Sequence, residues 1–350
     1  MKNVALWILL TFLITHKIYA KEGDTLTVKW QLYMDWYYKQ RSETEISKSR
    51  PSFLYNYRLS NKPSLNFALA NAELHKGRVQ AKLGIMRGDY VTYNLENESD
   101  YARLFYQANI GFQLTRKQDL WVEAGLFPSH IGVETVIGFD QHNLTRTIAA
   151  DNSPYYEAGL RVNWKSKNGK FYLSGLLLNG WQTTQLTEKK PSYGFQFTWT
   201  PSSHFSFNYS NYIEKNSDSE TRTQRIFHNF YITSQLSRSV ALIGGYDTGS
   251  DKIHSINKRW YTLYSTLKWS IFKTGAVGAR IEYFNSPRYG ILPYPYPHGL
   301  MSSSVNIDKT IDEWVKVRIE ARWFNSTEYI FFDKKSLFMY TLGICAKLGN

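Results

Sequence analysis

The stretch EWVKVRIEARWF, residues 313–324, decides the fold. Apolar side chains occupy alternate positions, at Val315, Val317, Ile319, Ala321 and Trp323. The positions between them are charged, at Lys316, Arg318, Glu320 and Arg322. Neighbouring side chains of a β-strand point to opposite faces, so this strand has one apolar face and one charged face. A strand of a soluble sandwich also alternates, but four successive charges on its wet face are unusual. The two faces are therefore expected to meet different media.

The same alternation recurs along the whole chain, and helical spacing is nearly absent. It is clearest in six further segments, residues 25–37, 103–114, 157–165, 193–199, 275–283 and 337–348. Aromatic residues make up 16% of the chain although the mean hydropathy is only −0.43. Strands that carry apolar and polar side chains in turn account for both values. The sequence therefore predicts an all-β protein.

Short and long connectors alternate between these segments. The short ones are residues 76–77, 116–118, 167–169, 201–203, 237–239 and 272–274. The long ones are residues 38–63, 94–100, 128–154, 182–191, 214–223, 248–257 and 286–299. Tight turns at one end and long loops at the other are typical of a closed antiparallel transmembrane β-barrel. The strand number should be even, and about 16 strands are expected when a weak strand at 300–307 is included. Fourteen or eighteen stays open, because residues 53–57 could form another hairpin arm.

The first 20 residues have the pattern of a secretory signal peptide: Lys2, an apolar run from Val4 to Thr15, and Ala20 at the cut. The apolar run is too short for a membrane-spanning helix, which needs about 20 residues. Residues 21–350 are then the barrel domain. Cys345 is the one cysteine of the chain, so an intrachain disulfide is excluded.

The formal net charge is +13, but Lys and Arg are scattered along the chain, which argues against nucleic-acid binding. The strand register predicts that ten basic side chains point into the barrel: Lys29, Lys82, Arg103, Arg161, Lys165, Lys268, Arg280, Lys316, Arg318 and Arg322. The acids predicted to face inward are Asp35, Glu123, Glu157, Glu282 and Glu320. The excess of basic over acidic side chains on the inner face predicts a weak preference for anions. Cross-strand ion pairs that leave little net field are the alternative.

Loop 128–154 is the longest internal connector and is the candidate constriction of the lumen. Its charged and titratable residues that would set pore size and ion preference are His130, Glu134, Asp140, His142 and Arg146. Its apolar residues Val136, Ile137 and Phe139 need a surface to pack on, which favours a loop folded into the barrel. The alternative is an external loop with solvated charges.

Residues 124–164 resemble the conserved centre of the OmpL-like β-barrel porin family. The resemblance lies in a Gly-x-Phe-Pro turn and in Ile131, Gly132, Glu134, Asn143, Arg146, Tyr156 and Gly159. It implies a channel in the outer membrane of a Gram-negative bacterium, with no cofactor. The partners to expect are outer-membrane lipid and lipopolysaccharide, small hydrophilic solutes, the barrel-assembly machinery and further copies of the chain.

The function we expect is passive diffusion of small hydrophilic solutes or ions through a porin, and not an enzymatic activity. One alternative is an adhesin or receptor that uses the Tyr- and Pro-rich loop 288–301. Another is a hydrolase at the barrel rim, with His204 or His228 in its site. No Gly-x-Ser-x-Gly or His-Glu-x-x-His pattern supports the hydrolase, and the histidines lack metal-ligand spacing.

Overall fold

A computed structural model describes residues 25–41, 51–186, 190–215, 222–253, 256–286, 291–292, 298–331 and 333–350. The predicted signal peptide, residues 1–20, lies outside these ranges. The described residues form sixteen β-strands: β1 Thr27–Arg41, β2 Ser64–Lys76, β3 Val79–Arg87, β4 Phe105–Thr115, β5 Asp119–Pro128, β6 Tyr156–Lys165, β7 Phe171–Leu178, β8 Ser192–Ser202, β9 Phe205–Lys215, β10 Arg222–Gln235, β11 Val240–Ile253, β12 Ile256–Phe272, β13 Gly275–Asn285, β14 Leu300–Asp312, β15 Val315–Ser326 and β16 Ser336–Gly349.

The helices among the described residues are few and short. They are the α-helices α1 (Asp89–Asn94) and α2 (Ile148–Asp151) and the 3-10 turns Ala102–Leu104 and Gly138–Asp140. No helix in the described part of the chain has the length and apolar character needed to cross a membrane.

The sixteen strands form one closed antiparallel barrel in which each strand pairs with its neighbours in sequence. β1 closes the ring by pairing with β16, from Gln31 opposite Gly349 to Arg41 opposite Met339. Closure leaves no free sheet edge, as a sheet that crosses hydrocarbon requires. The predicted fold class and strand number are confirmed, and the weak strand expected at 300–307 is β14. Residues 53–57 are not a strand.

The register predicted for β15 is also confirmed. Ile319 is 53% exposed and Trp323 40% exposed on the outer face, whereas Arg318 and Arg322 are each 1% exposed on the inner face. The opposite register would put Arg at the centre of the bilayer, at a cost of about 2–4 kcal/mol for each side chain.

Three positions differ from the predicted register or loop pattern. Arg103 is not on a strand but in a 3-10 turn that precedes β4. Tyr106 is on the apolar, outward parity of the alternating run 103–114, but it packs inward against Tyr155 because the β3–β4 pairing shifts register at this point. The long loop expected at 248–257 is replaced by extensions of β11 and β12, which are paired as far as Ile253 and Ile256. Residues 254–255, which connect them, lie outside the described residues.

Two segments between strands enter the barrel and fill much of its lumen. One is the inner loop (residues 129–155), between β5 and β6, and the other is the inner insert (residues 51–63), which precedes β2. Phe53 and Leu54 of the insert and Ile148 of the loop are 0% exposed and belong to one apolar cluster with side chains of the barrel wall. The core of the protein therefore lies inside the barrel.

Candidate functional site

A row of buried ion pairs lines the inner face of β13, β14 and β15. Arg280 on β13 pairs with Glu320 on β15 at 3.0 Å, and Arg322 on β15 pairs with Glu282 on β13. These four side chains are at most 3% exposed. Burying charges without partners would cost several kcal/mol each, so their alternation in sign allows the wall to carry them.

Thr145 of the inner loop is bound directly to this wall. Its backbone N–H and its hydroxyl both donate to Glu320, at 2.8 and 2.5 Å. Arg280 donates to the carbonyl of Thr145 at 2.5 Å, and Arg322 donates to its hydroxyl at 3.1 Å. Bonds to charged groups are among the stronger hydrogen bonds in proteins. The middle of the inner loop is therefore fixed against one side of the lumen.

Arg318 fixes the preceding part of the inner loop. It forms two bonds of 2.9 Å with Asp308 on β14 and donates to the carbonyls of Gly138 and Gln141, at 2.5 and 3.1 Å. The backbone N–H of Gly138 donates to the hydroxyl of Tyr33 on β1 at 2.9 Å. Arg318 is on β15, so the loop contacts the wall from β15 round to β1.

Glu134 and Arg146 lie within the inner loop and shape it from inside. Glu134 accepts from the backbone N–H and the hydroxyl of Thr147, at 2.8 and 2.6 Å, and burial raises the pKa of this carboxyl. Arg146 donates to the hydroxyl of Tyr90 at 2.5 Å and lies 3.6 Å from Asp151. Nearby Tyr90 and Asp151 raise the pKa of Arg146 against the effect of burial. Arg146 is buried and Glu134 is partly buried, and their contacts are with the loop's own backbone and neighbours.

His130 spans the opposite side of the lumen at the start of the inner loop. Its Nδ1 lies 2.7 Å from Glu157 on β6, and its Nε2 lies 2.7 Å from the carbonyl of Asn211 on β9. Gly194 on β8 gives the ring its space, because a Cβ there would lie 2.8 Å from His130. The loop is therefore held on both sides of the barrel.

His142, Lys316 and Lys268 lie near the short-turn half of the lumen. His142 Nδ1 is 3.1 Å from the hydroxyl of Thr266, and burial with Lys268 nearby lowers the pKa of His142 to about 4. Lys316 donates to the carbonyl of Phe139. In the described part of the chain, no carboxylate lies within ion-pairing distance of Lys316 or Lys268. Lys316 and Lys268 are therefore inward cations without a direct counter-charge among the described residues.

The remaining predicted site residues are Asp140, Arg161 and Arg103. Asp140 is exposed and pairs with Lys347 on β16. Arg161 on β6 faces inward and pairs with Glu123 on β5 at 2.8 Å. The prediction that Arg103 lines the pore from a strand is wrong, since its guanidinium donates to the carbonyls of loop residues 96 and 98.

The inner insert was not predicted as part of the site. Tyr57 donates its hydroxyl to Asp35 on β1 at 2.6 Å, and Asn66 on β2 donates to the same oxygen at 3.1 Å. Asn152 of the inner loop donates to the carbonyl of Phe53 at 2.9 Å, which ties insert and loop together. The apolar run of residues 53–57 was the available signal, because it needs a surface to pack on just as Val136 does.

The two histidines considered for catalysis have no carboxylate bonded to them in the described residues. His204 is in the exposed turn after β8, 3.2 Å from the hydroxyl of Ser203. His228 is on the outer face of β10, 2.9 Å from the hydroxyl of Tyr209. The described residues also contain no group of three or more His, Cys, Asp or Glu that could hold a metal ion.

A closed barrel with an apolar outer face, a charged inner face and a loop bound inside the lumen defines a membrane channel of the porin class. The family described as "Putative beta-barrel porin-2, OmpL-like" matches residues 27–344, and the chain belongs to this family. The protein is therefore a porin of the bacterial outer membrane. No curated protein matches the sequence.

Solved structures of outer-membrane proteins and porins share the fold at low sequence identity. The channel DcaP of Acinetobacter baumannii is 11% identical, with 96% of this chain and 100% of that chain covered and a TM-score of 0.63. The trimer form of OmpT, from Vibrio cholerae, is 9% identical, with 93% of this chain and 100% of that chain covered and a TM-score of 0.60. The anion-selective porin from Comamonas acidovorans is 7% identical, with 93% of this chain and 100% of that chain covered and a TM-score of 0.59.

Proposed function

We propose that the protein lets ions and small hydrophilic solutes diffuse passively through a lumen that is narrowed by the inner loop. The observation that carries this proposal is the anchorage of Thr145 to Glu320 and Arg280. A loop bonded to buried charges of the wall keeps its position, so it can set a fixed upper size for solutes. The inward side chains at this level are almost all buried, which supports a narrow path.

Conductance of the purified, folded protein in planar bilayers tests the proposal. Stable open steps are expected, together with liposome swelling rates that fall steeply as the solute becomes larger. Heat-modifiable migration on gels confirms that the sample is folded. Folded protein that gives no current and no swelling with the smallest solutes would contradict diffusion.

The weak anion preference expected from the sequence rests on fewer unpaired basic side chains in the structure than the sequence predicted. Most inward arginines are paired, and the inner face carries buried acids that the sequence prediction omitted, among them Asp247, Asp251 and Asp308. We propose that any preference for anions comes from Lys268 and Lys316, which lack a carboxylate partner among the described residues. The Comamonas acidovorans porin is described as anion-selective, but its 7% identity supports only the shared fold.

Reversal potentials under a salt gradient test this preference. The double variant K268Q/K316Q is expected to shift the reversal potential towards that of a cation-selective pore. K309Q is the matched control, since Lys309 is exposed in the last part of β14, where it donates to the hydroxyl of Thr274. A wild-type pore that already selects cations would overturn the anion preference without affecting the proposal of diffusion.

The predicted partners remain proposals. Association of copies of this chain has a candidate surface on the outer face of β1, β2 and β3, where a groove is lined by Leu32, Met34, Ala68, Ala70 and Ile85. OmpT of Vibrio cholerae is described in a trimer form. Contacts with lipopolysaccharide and the barrel-assembly machinery also stay predictions. The predicted recognition loop 288–301 lies mostly outside the described residues, so the receptor alternative stays untested.

A further inference from the structure

A cavity of about 370 Å³ lies at the long-loop mouth of the barrel, apart from the constriction at Thr145. It is lined by the inner insert, by the loops that precede β4, β6, β8 and β14, and by strand β10. Its principal side chains are Tyr55, Glu98, Asp151, Trp181, Gln182 and Arg225. Its volume is within the range of about 300–1,000 Å³ that is usual for ligand pockets.

The polar groups of this cavity are held in place by other residues. Glu98 accepts from the backbone N–H and the hydroxyl of Thr184, both at 2.9 Å. The side chain of Gln182 donates to the carbonyl of Asn94 at 2.9 Å and accepts from the N–H of Tyr155 at 2.6 Å. Because these bonds fix the lining before any ligand arrives, binding would require little ordering of side chains.

Trp181 provides an apolar surface beside these polar groups. The Arg225 guanidinium lies 4.4 Å from the centre of the indole ring, and Tyr212 meets the ring edge-on at 4.9 Å. Phe227 packs on it at 5.5 Å. The indole is only partly buried by these neighbours and lines the cavity.

The charges of the cavity argue against an anion as its ligand. Arg225 is already bound to both oxygens of Asp251, at 2.7 and 2.6 Å. Asp151 is 1% exposed, and its Oδ1 has no hydrogen-bond partner among the described residues, although Arg146 lies 3.6 Å away. A buried carboxylate oxygen in this state favours a ligand that donates a hydrogen bond.

We propose that this cavity binds neutral polyhydroxylated solutes, of the size of a mono- or disaccharide, before they enter the lumen. Hydroxyl groups can donate to Asp151 and Glu98 and accept from Gln182 and Arg225. The C–H face of a sugar ring can pack on Trp181. The inference rests on the proposed diffusion pathway for its role in uptake, whereas binding itself needs no open pore.

Saturation-transfer NMR on the folded protein in detergent tests binding without requiring conduction. Glucose, maltose and sorbitol are the neutral probes, and glucuronate and inorganic phosphate are the anionic comparisons. Saturation transfer to at least one neutral probe, stronger than to either anion, is the expected result. No transfer to any neutral probe, or stronger binding of an anion, would overturn the proposal.

Two variants with matched controls locate the site. D151N and W181F are each expected to weaken binding of the neutral probe at least tenfold. D100N removes the same charge from an exposed position in the nearby loop, and W199F makes the same change on the outer face of β8. Both controls are expected to bind like wild type, and all four proteins must show heat-modifiable migration. Equal binding by variants and controls would place the solute elsewhere.

Current measurements separate this inference from the proposed function. In a conducting pore, the neutral probe added at the long-loop side is expected to reduce the ion current of wild type but not of folded W181F. Binding without any conduction would leave the cavity proposal intact and contradict the proposed diffusion. Conduction without binding of any neutral probe would contradict the cavity proposal and leave the proposed diffusion intact.

Discussion

Thr145 and Glu320 are 175 residues apart in sequence, yet the carboxylate of Glu320 accepts from both the backbone N–H and the hydroxyl of Thr145. The same carboxylate lies 3.0 Å from Arg280, which also donates to the Thr145 carbonyl. One buried acid therefore joins the inner loop to two strands of the wall.

Replacing this acid by its neutral isostere tests how far it controls the loop. E320Q weakens the charge-assisted bonds to Thr145 and Arg280, so we expect a loss of about 1.5–3 kcal/mol in the free energy of unfolding. The loosened loop should also give larger or noisier conductance steps. E313Q, in the exposed turn before β15, is the control. Unchanged stability and conductance in E320Q would show that the anchorage is unimportant.

Gly194 and Gly175 offer a matched pair of glycine substitutions on neighbouring strands. A Cβ at Gly194 would lie 2.8 Å from the His130 ring, whereas a Cβ at Gly175 would meet nothing within 4 Å. We expect G194A to displace His130 and to cost about 1–3 kcal/mol of folding free energy, as overpacking does. G175A should behave like wild type in the same denaturant titration. If the two variants lose equal stability, the His130 contact is not the cause.

The bond between Tyr57 and Asp35 predicts the effect of loosening the inner insert. Y57F leaves one oxygen of a buried carboxylate with a single donor, Asn66, so we expect a loss of about 1–3 kcal/mol. Y38F, on the outer face of the same strand as Asp35, should be silent. Urea unfolding of the detergent-solubilised proteins measures the difference. Identical midpoints for Y57F and Y38F would show that the insert does not depend on this bond.

His142 predicts a pH dependence of stability. Its pKa is lowered to about 4 by burial and by Lys268, from an ordinary value of 6.5. The unfolded chain therefore takes up this proton at a higher pH than the folded protein does, and stability should fall as the pH drops from 6.5 towards 4. We expect H142N to lose less stability than wild type in this window. H204N, in the exposed turn, should follow wild type. Parallel profiles for H142N and wild type would contradict the assignment.

The barrel could be predicted from the sequence because each strand is exposed to two different solvents. Val317 and Arg318 are adjacent, and the apolar Val317 favours the lipid face whereas the charged Arg318 favours the lumen face. Only one register places both side chains on their favoured faces. The extended hairpin of β11 and β12 could not be predicted in this way. Residues 248–252, TGSDK, are polar or glycine, so no alternation of apolar and polar side chains marks them as part of a strand.

The candidate site could be predicted only in part. Val136 and its apolar neighbours favoured a loop that packs inside the barrel, and Val136 is buried in the structure. The parity of Arg280 and Arg318 predicted that both point inward, and both are buried. The pairing of these arginines could not be predicted, because Asp308 lies just beyond the weak strand expected at 300–307 and partners such as Thr145 are far away in sequence. Arg103 shows the opposite failure, since its position in an alternating run did not reveal the 3-10 turn.

The pairing of β1 with β16 has a consequence for how the protein is made. Gln31 and Gly349 lie opposite each other, so the first strand waits for the last before its own edge is covered. During biogenesis, nearly the entire polypeptide must be available before the ring can seal, and contacts of such long range form slowly. Until then both terminal strands present unpaired hydrogen-bonding edges that can pair with a strand of another protein chain. Pairing of β1 with β16 is thus the step of assembly at which the chain is most exposed to wrong pairing. An assembly factor would help most at this step.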